Sequence, residues 1–153
     1  MLLFNYLSIL NKFSLYLKFY MRATLWFARV SLLIVYFWFG FLKVVGYSPA
    51  EPLVNQLFKI TLVSFFSFRS FVILFGLFEC FIGLLWALPK LTKHAFYLVC
   101  IHLLLTTLPL MLLTETTWSS FLIPTLIGQY IIKNLLLLSN AIFILNNRKF
   151  ILK

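Results

Sequence analysis

The stretch LWFARVSLLIVYFWFGFLKVV, at residues 25–45, decides the fold class of this chain. Apart from Arg29 and Lys43 it carries no charge, and it is long enough for one helical membrane crossing, which needs about 20 apolar residues. Similar stretches follow, so the sequence predicts crossings at about residues 23–45, 71–88, 95–113 and 121–145. Backbone polar groups find no water in lipid, and each crossing is therefore predicted to be an α-helix.

The composition supports an integral membrane protein. Of the 153 residues, 63% are hydrophobic and 10% are charged, whereas soluble domains average about 45–50% and about 25%. A soluble domain of this size could not hide so many apolar side chains, and a disordered chain needs low hydrophobicity. Two cysteines do not make a disulfide scaffold. The net charge of +10 lacks a basic tract or stripe, so no nucleic-acid partner is predicted and the lipid bilayer is the expected environment.

The positions of the basic residues predict the topology. Lys and Arg precede the first crossing, separate the second from the third, and follow the last, whereas the connection around Glu115 has none. By the positive-inside rule, both termini are predicted to face the cytoplasm. The residues that carry this prediction are Lys12, Lys18, Arg22, Lys90, Lys93, Arg148, Lys149 and Lys153.

This topology divides the chain into three parts. Residues 1–21 place polar and apolar side chains on opposite helical faces, which predicts an amphipathic helix in the cytoplasmic interface rather than a cleaved signal sequence. Residues 22–146 form the predicted membrane domain, an antiparallel bundle of four helices, and residues 147–153 a short basic cytoplasmic tail. Between the first two crossings, Leu53, Leu57 and Ile60 predict a short surface helix on the outer side.

Polar side chains within the predicted crossings are the candidate functional residues, because ionisable groups in a bilayer are costly and face the interior of a bundle. Each predicted helix carries one polar stripe, and on the second helix Glu79 lies in a strip of small residues that runs from Gly76 through Gly83 to Ala87. Four such stripes are expected to meet in one polar intramembrane pocket. Its predicted lining is Arg29, Tyr36, Lys43, Glu79, His102, Gln129 and Lys133.

Glu79 and Lys133 are the predicted buried ion pair of this pocket. One interpretation is that the pair only fixes the register of the helices. The other is a binding pocket, since Arg29, Lys43 and Lys133 face a single intramembrane carboxylate. That excess of positive charge would suit a bound anion, a carboxylate solute or a quinone carbonyl.

The remaining motifs favour binding or packing over catalysis. His102 is interpreted either as a hydrogen-bonded packing residue or as part of the pocket. No grouping of His, Cys, Asp and Glu has the spacing of metal ligands, so no metal is predicted. Cys80 and Cys100 do not form a Cys-x-x-Cys motif and are predicted to be small apolar fillers. Without a nucleophile or phosphate-loop motif, no catalytic residue is predicted and the chain alone is not expected to be an enzyme.

Four stretches together resemble the DoxX-like family of small bacterial membrane proteins. They are R-x6-YFWFGFLKVVGYSPAEPLV at residues 29–54, GLFECFIGLLWALPK at 76–90, HLLLTTLPLMLLTETTW at 102–118 and PTLIGQYIIKNLLLL at 124–138. The resemblance implies a four-helix bundle in the bacterial cytoplasmic (inner) membrane. It also implies an intramembrane arginine, glutamate and lysine, which correspond to Arg29, Glu79 and Lys133, with Gly40 and Lys43 completing the first-helix motif.

The resemblance also implies a link to quinol-dependent oxidation of sulfur compounds or to oxidative-stress complexes. The first hypothesis is therefore a small subunit or accessory factor of a quinone-linked membrane redox process, with other membrane redox subunits as partners and a quinone as the possible cofactor. A second is a carrier for a small anionic solute or for protons, with Glu79 as the proton site. A third is a structural or assembly protein whose buried polar residues only specify packing.

Overall fold

The structure is a computed structural model that describes residues 2–61 and 67–152, with side chains from Lys12 onward. It is mostly helical, with one small β-hairpin. They are α1 (Leu2–Val45), α2 (Glu51–Thr61), α3 (Phe68–Ala87), a 3₁₀ turn (Pro89–Leu91), α4 (Thr92–Thr107), α5 (Pro109–Leu112), α6 (Thr114–Thr117), β1 (Trp118–Ser120), β2 (Ile123–Pro124), α7 (Leu126–Ile132), α8 (Asn134–Asn147) and α9 (Lys149–Leu152).

Four helical stretches are long and apolar enough to cross a membrane. They are Lys12–Val45, Phe68–Ala87, Pro89–Leu112 and Leu126–Asn147, each of which contains one of the predicted crossings nearly in full. This confirms the prediction of a mostly helical protein with four helices that are long and apolar enough to span a membrane. The third stretch bends where Pro109 opens the separate short helix α5, because proline has no N–H to continue the ladder of α4.

The first spanning helix is longer than predicted. α1 runs for 44 residues without a break, so the predicted boundary between residues 21 and 22 does not coincide with an interruption of the helix. No proline or glycine occurs between Leu2 and Phe39 to interrupt it. The placement of the N-terminal part in the membrane interface stays a prediction, as does the outer position of the short helix α2.

The fourth spanning stretch differs from the predicted one at two points. It begins at Leu126 rather than at residue 121, because residues 118–124 form the antiparallel hairpin β1–β2 and the Thr125 hydroxyl caps α7 at the N–H of Gly128. The stretch is also divided, since Lys133 separates α7 from α8. This break changes which side chains face inward.

The core lies between α1, α3, α4 and α8. It is built from fully buried apolar side chains, among them Leu32 on α1, Ile82 and Trp86 on α3, Val99 on α4 and Ile144 on α8. Burial of such side chains and close packing hold the four helices together around one interior.

The two ends of this bundle differ in charge. The basic end carries Lys90 and Lys93, at the α3–α4 connection and the first turn of α4, and Arg148 and Lys149, at the junction of α8 and α9. The hairpin end carries β1–β2, where Thr116 of α6 donates a hydrogen bond to Gln56 of α2 at 3.0 Å.

Candidate functional site

Glu79 lies at the centre of a buried cluster. Its Oε2 accepts a hydrogen bond from Nζ of Lys43 at 2.6 Å, and its Oε1 lies 2.9 Å from Nε2 of His102. On the other side of the imidazole, Nδ1 lies 3.4 Å from the hydroxyl of Tyr36. All four side chains are buried, and these residues are called the Glu79 cluster below.

The geometry sets the direction of the hydrogen bonds. A carboxylate only accepts, so Nε2 of a neutral His102 must carry the proton that is donated to Glu79. Nδ1 is then an acceptor, and the Tyr36 hydroxyl donates to it. The cluster is thus a chain in which each link could pass a proton: ammonium, carboxylate, imidazole and phenol.

Glycines bring the two halves of the ion pair together. A Cβ atom on Gly40 would lie 2.5 Å from the carbonyl oxygen of Gly76, and one on Gly76 would lie 2.9 Å from Cβ of Lys43. The backbones of α1 and α3 therefore touch one turn before Lys43 and one turn before Glu79. Gly83 contacts α1 in the same way, whereas Ala87, at the end of the predicted small-residue strip, is exposed.

Two phenylalanines border the imidazole. The ring of Phe75 stacks on His102 at 5.4 Å between centroids, and Nζ of Lys43 lies 5.8 Å from the centre of the same ring. Phe78 lies at 6.4 Å from His102. The sequence analysis did not single out these residues, although Phe75 is four positions before Glu79 and hence on the same helical face.

Arg29 lies in a second polar site, apart from the Glu79 cluster and near the basic end. Its side chain is 1% exposed, and Nη1 donates to the hydroxyl of Thr92 at 2.7 Å. Thr92 in turn donates to the carbonyl of Pro89 at 2.7 Å. The rings of Trp26 and Trp86 lie 5.9 and 5.8 Å from Cζ of Arg29.

The predicted pairing of Glu79 with Lys133 is wrong. Glu79 uses its two oxygens for Lys43 and His102, while Lys133 is exposed between α7 and α8. Gln129 is exposed as well, and its amide reaches only the carbonyl of Pro124, at 3.5 Å. The predicted seven-residue pocket is therefore not a single site. The four residues of the Glu79 cluster meet, Arg29 lies in the second polar site, and Gln129 and Lys133 face outward.

The break at Lys133 explains this error. Counting along a continuous helix places Gln129, Lys133 and Asn140 on one stripe, but the helix is interrupted within that stripe. The polar groups that face inward are instead amides of α8. Asn134 donates to the hydroxyl of Thr106 at 3.4 Å, and Asn140 donates to the carbonyl of Ala28 at 3.1 Å.

An apolar groove lies between α3 and α4 towards the basic end. It has a volume of about 400 Å³, which falls within the usual size of small-molecule sites, about 300–1,000 Å³. Its lining is almost wholly apolar, with one imidazole at the rim. The lining residues are Phe81, Leu85, Leu91, His94, Tyr97 and Leu98.

Within residues 2–61 and 67–152, no three His, Cys, Asp or Glu side chains are grouped as metal ligands would be. Cys80 and Cys100 are both free, and the Cys80 thiol donates to the carbonyl of Phe37 at 3.5 Å, which fits a packing role.

Comparison with known proteins gives no match. No protein-family model matches the chain, and neither does any curated protein or any solved structure. The resemblance to the DoxX-like family therefore stays a prediction from the sequence motifs.

Proposed function

We propose that this chain is a small accessory subunit of a quinone-linked redox process in the bacterial inner membrane, built as an antiparallel four-helix bundle with both termini in the cytoplasm. The observation that carries the proposal is the buried position of His102 between Glu79 and Tyr36. A quinone-type headgroup that replaced the 3.4 Å contact between the Tyr36 hydroxyl and Nδ1 of His102 would meet a hydroxyl donor and an imidazole proton acceptor.

The chemistry of the cluster suits such a ligand. A quinone accepts hydrogen bonds at its two carbonyl oxygens, and its reduced form carries protons on the same atoms. His102 is held in one orientation by Glu79, so its ring can take or give a proton while the carboxylate stabilises the imidazolium. Lys43 offsets the charge of that carboxylate. Electron exchange is assigned in this proposal to a partner subunit.

The surroundings of His102 support access from the lipid. Phe75 and Phe78 pack against the imidazole, and both are partly exposed, so His102 lies one side chain below the surface of the bundle. The apolar groove along α3 and α4 would accommodate an isoprenoid tail, because its lining is apolar and its volume is about 400 Å³.

The proposal is tested by the quinone content of the purified protein. The chain is extracted from quinone-containing membranes in mild detergent, and quinones are quantified by chromatography after solvent extraction. We expect a reproducible fraction of wild-type molecules to retain quinone and His102→Phe to lose several-fold of it. The matched control is Lys133→Met, at an exposed site, which should retain the wild-type amount. Equal retention in His102→Phe, or none in the wild type, would refute the proposal.

The structure gives less support to a proton carrier. The hydrogen-bonded chain extends from Lys43 to Tyr36, seven positions of α1, or about 10 Å of helix in a hydrocarbon core about 30 Å thick. Between Tyr36 and Arg29 the interior is filled by Leu32 and Ile82, both 0% exposed. The hydrogen-bonded chain of the Glu79 cluster therefore extends towards the hairpin end and not towards the basic end.

A further inference from the structure

Three N–H groups near the basic end lack a hydrogen-bond acceptor. They are Nε and Nη2 of Arg29 and Nε1 of Trp86, which are buried and have no partner among the described residues. The indole of Trp86 is 0% exposed, and its ring centre lies 5.8 Å from Cζ of Arg29. Buried donors nearly always find an acceptor in folded proteins, so a cluster of three points to a missing acceptor group.

The side-chain carboxylates of the described residues do not supply that acceptor. The sequence has three Asp and Glu residues in total. Glu79 is held by Lys43 and His102, Glu51 lies 3.6 Å from Arg69, and Glu115 is exposed in α6, next to the hairpin. A guanidinium cannot be deprotonated in a protein, so Arg29 stays positively charged and buried without a counter-charge from any side chain of its own chain.

The free edge of the guanidinium defines what would fit. Nη1 is used by Thr92, which leaves Nε and Nη2. These two nitrogens form one edge of the planar group, and their parallel N–H bonds match two oxygens of a phosphate or carboxylate. The second polar site thus presents an unpaired edge of the guanidinium together with an indole N–H.

The surrounding charges favour an anion at this place. α4 begins at Thr92, so the positive end of its helix dipole lies beside the Arg29 guanidinium. Lys90 and Lys93 are exposed on the same connection and would attract an anion from the aqueous side. Trp26 is 41% exposed and its ring lies 5.9 Å from Cζ of Arg29, so a ligand would approach the guanidinium past this ring.

We infer that Arg29, together with Trp86, binds the phosphate group of an anionic ligand, held by the Nε–Nη2 edge of the guanidinium. The phosphate is carried either by an anionic lipid headgroup or by a free ion. This site is separate from the Glu79 cluster and does not depend on the proposed quinone function.

The test measures the thermal unfolding midpoint of delipidated protein in a neutral detergent. One arm titrates inorganic phosphate, and the other adds phosphatidylglycerol, with phosphatidylcholine as the uncharged comparison. We expect one arm to raise the midpoint of the wild type in a saturable way. Arg29→Gln should abolish this shift and Trp86→Phe should weaken the apparent affinity several-fold. The matched control, Arg22→Gln, alters an exposed arginine two turns earlier on α1 and should keep the shift.

The absence of a saturable shift in both arms would overturn the inference, and so would an equal shift in Arg29→Gln and Arg22→Gln. If Arg29→Gln does not fold, Trp86→Phe decides, since an undiminished affinity would also overturn it. Arg29→Met adds an independent readout: without phosphate its midpoint should equal or exceed that of the wild type, because an uncompensated buried charge has been removed. A lower midpoint would mean that the protein itself satisfies Arg29.

Discussion

Glu79 is the residue on which the interior of this protein depends most. Both of its oxygens are engaged, by an ammonium group at 2.6 Å and by an imidazole at 2.9 Å, and its side chain is 6% exposed. Because Glu79 and its two partners come from α3, α1 and α4, one carboxylate ties three spanning helices together. Replacing the Glu79 carboxylate by a neutral group would leave the buried Lys43 ammonium without a counter-charge.

Substitution of Glu79 is therefore expected to be costly. Glu79→Gln keeps the shape but leaves the Lys43 charge unpaired, and breaking a buried ion pair costs about 3–5 kcal/mol. We expect the free energy of unfolding, measured by denaturant titration in detergent, to fall by about 3 kcal/mol. Adding Lys43→Met to Glu79→Gln should recover part of this loss. A double variant no more stable than Glu79→Gln alone would contradict the assignment.

Two lysines in the membrane-spanning stretches provide a matched comparison. Lys43 is buried against Glu79, whereas Lys133 is exposed. Lys43→Met should destabilise by several kcal/mol because a buried carboxylate loses its partner. Lys133→Met should leave the free energy of unfolding unchanged or raise it, because it removes an exposed charge from a membrane-spanning stretch. The same unfolding titration compares the two, and a reversed order would show that Lys133 is the partner after all.

At the scale of elements, the contact between α1 and α3 is set by glycine. Gly40 and Gly76 face one another, and a methyl group on either would meet backbone atoms or Cβ of Lys43 at less than 3 Å. Because backbone atoms cannot turn aside as a side chain does, the helices would have to separate. Separation would also lengthen the hydrogen bond between Lys43 and Glu79.

Gly40→Ala is expected to show this coupling. Overpacking typically costs about 1–3 kcal/mol, and the free energy of unfolding in detergent should fall by that amount. Ala87→Val serves as the control, because it adds volume at an exposed position of α3 and should leave stability unchanged. If Gly40→Ala were as stable as the wild type, the close approach of α1 and α3 would be disproved.

At the scale of the whole molecule, the basic residues predict the orientation of the bundle. Lys93 lies at the basic end and Ser120 at the hairpin end, and both are exposed. In a background of Cys80→Ala and Cys100→Ala, Ser120→Cys should react with a membrane-impermeant thiol reagent in intact cells. Lys93→Cys should react only after permeabilisation, because positive connections stay in the cytoplasm. The opposite pattern would reverse the proposed topology.

The sequence predicted the spanning helices well, because length and apolar character alone define them. It also predicted that Tyr36, Lys43, Glu79 and His102 face inward, since helical spacing assigns a face to each residue. The sequence did not predict which residues pair with Glu79, because helical spacing does not give the relative depth of two helices. The break at Lys133 was not predicted either, as neither proline nor glycine marks it.

The continuity of α1 has a mechanical consequence. Its 44 residues extend over about 66 Å, roughly twice the thickness of the hydrocarbon core. This one helix carries Arg29, Tyr36 and Lys43. Its exposed aromatic side chains, such as Tyr16 and Tyr20, lie at the opposite end from Lys43. Because α1 is continuous, both buried polar sites depend on the rotation of one helix about its own axis, and a turn of α1 would shift Arg29 and Lys43 together.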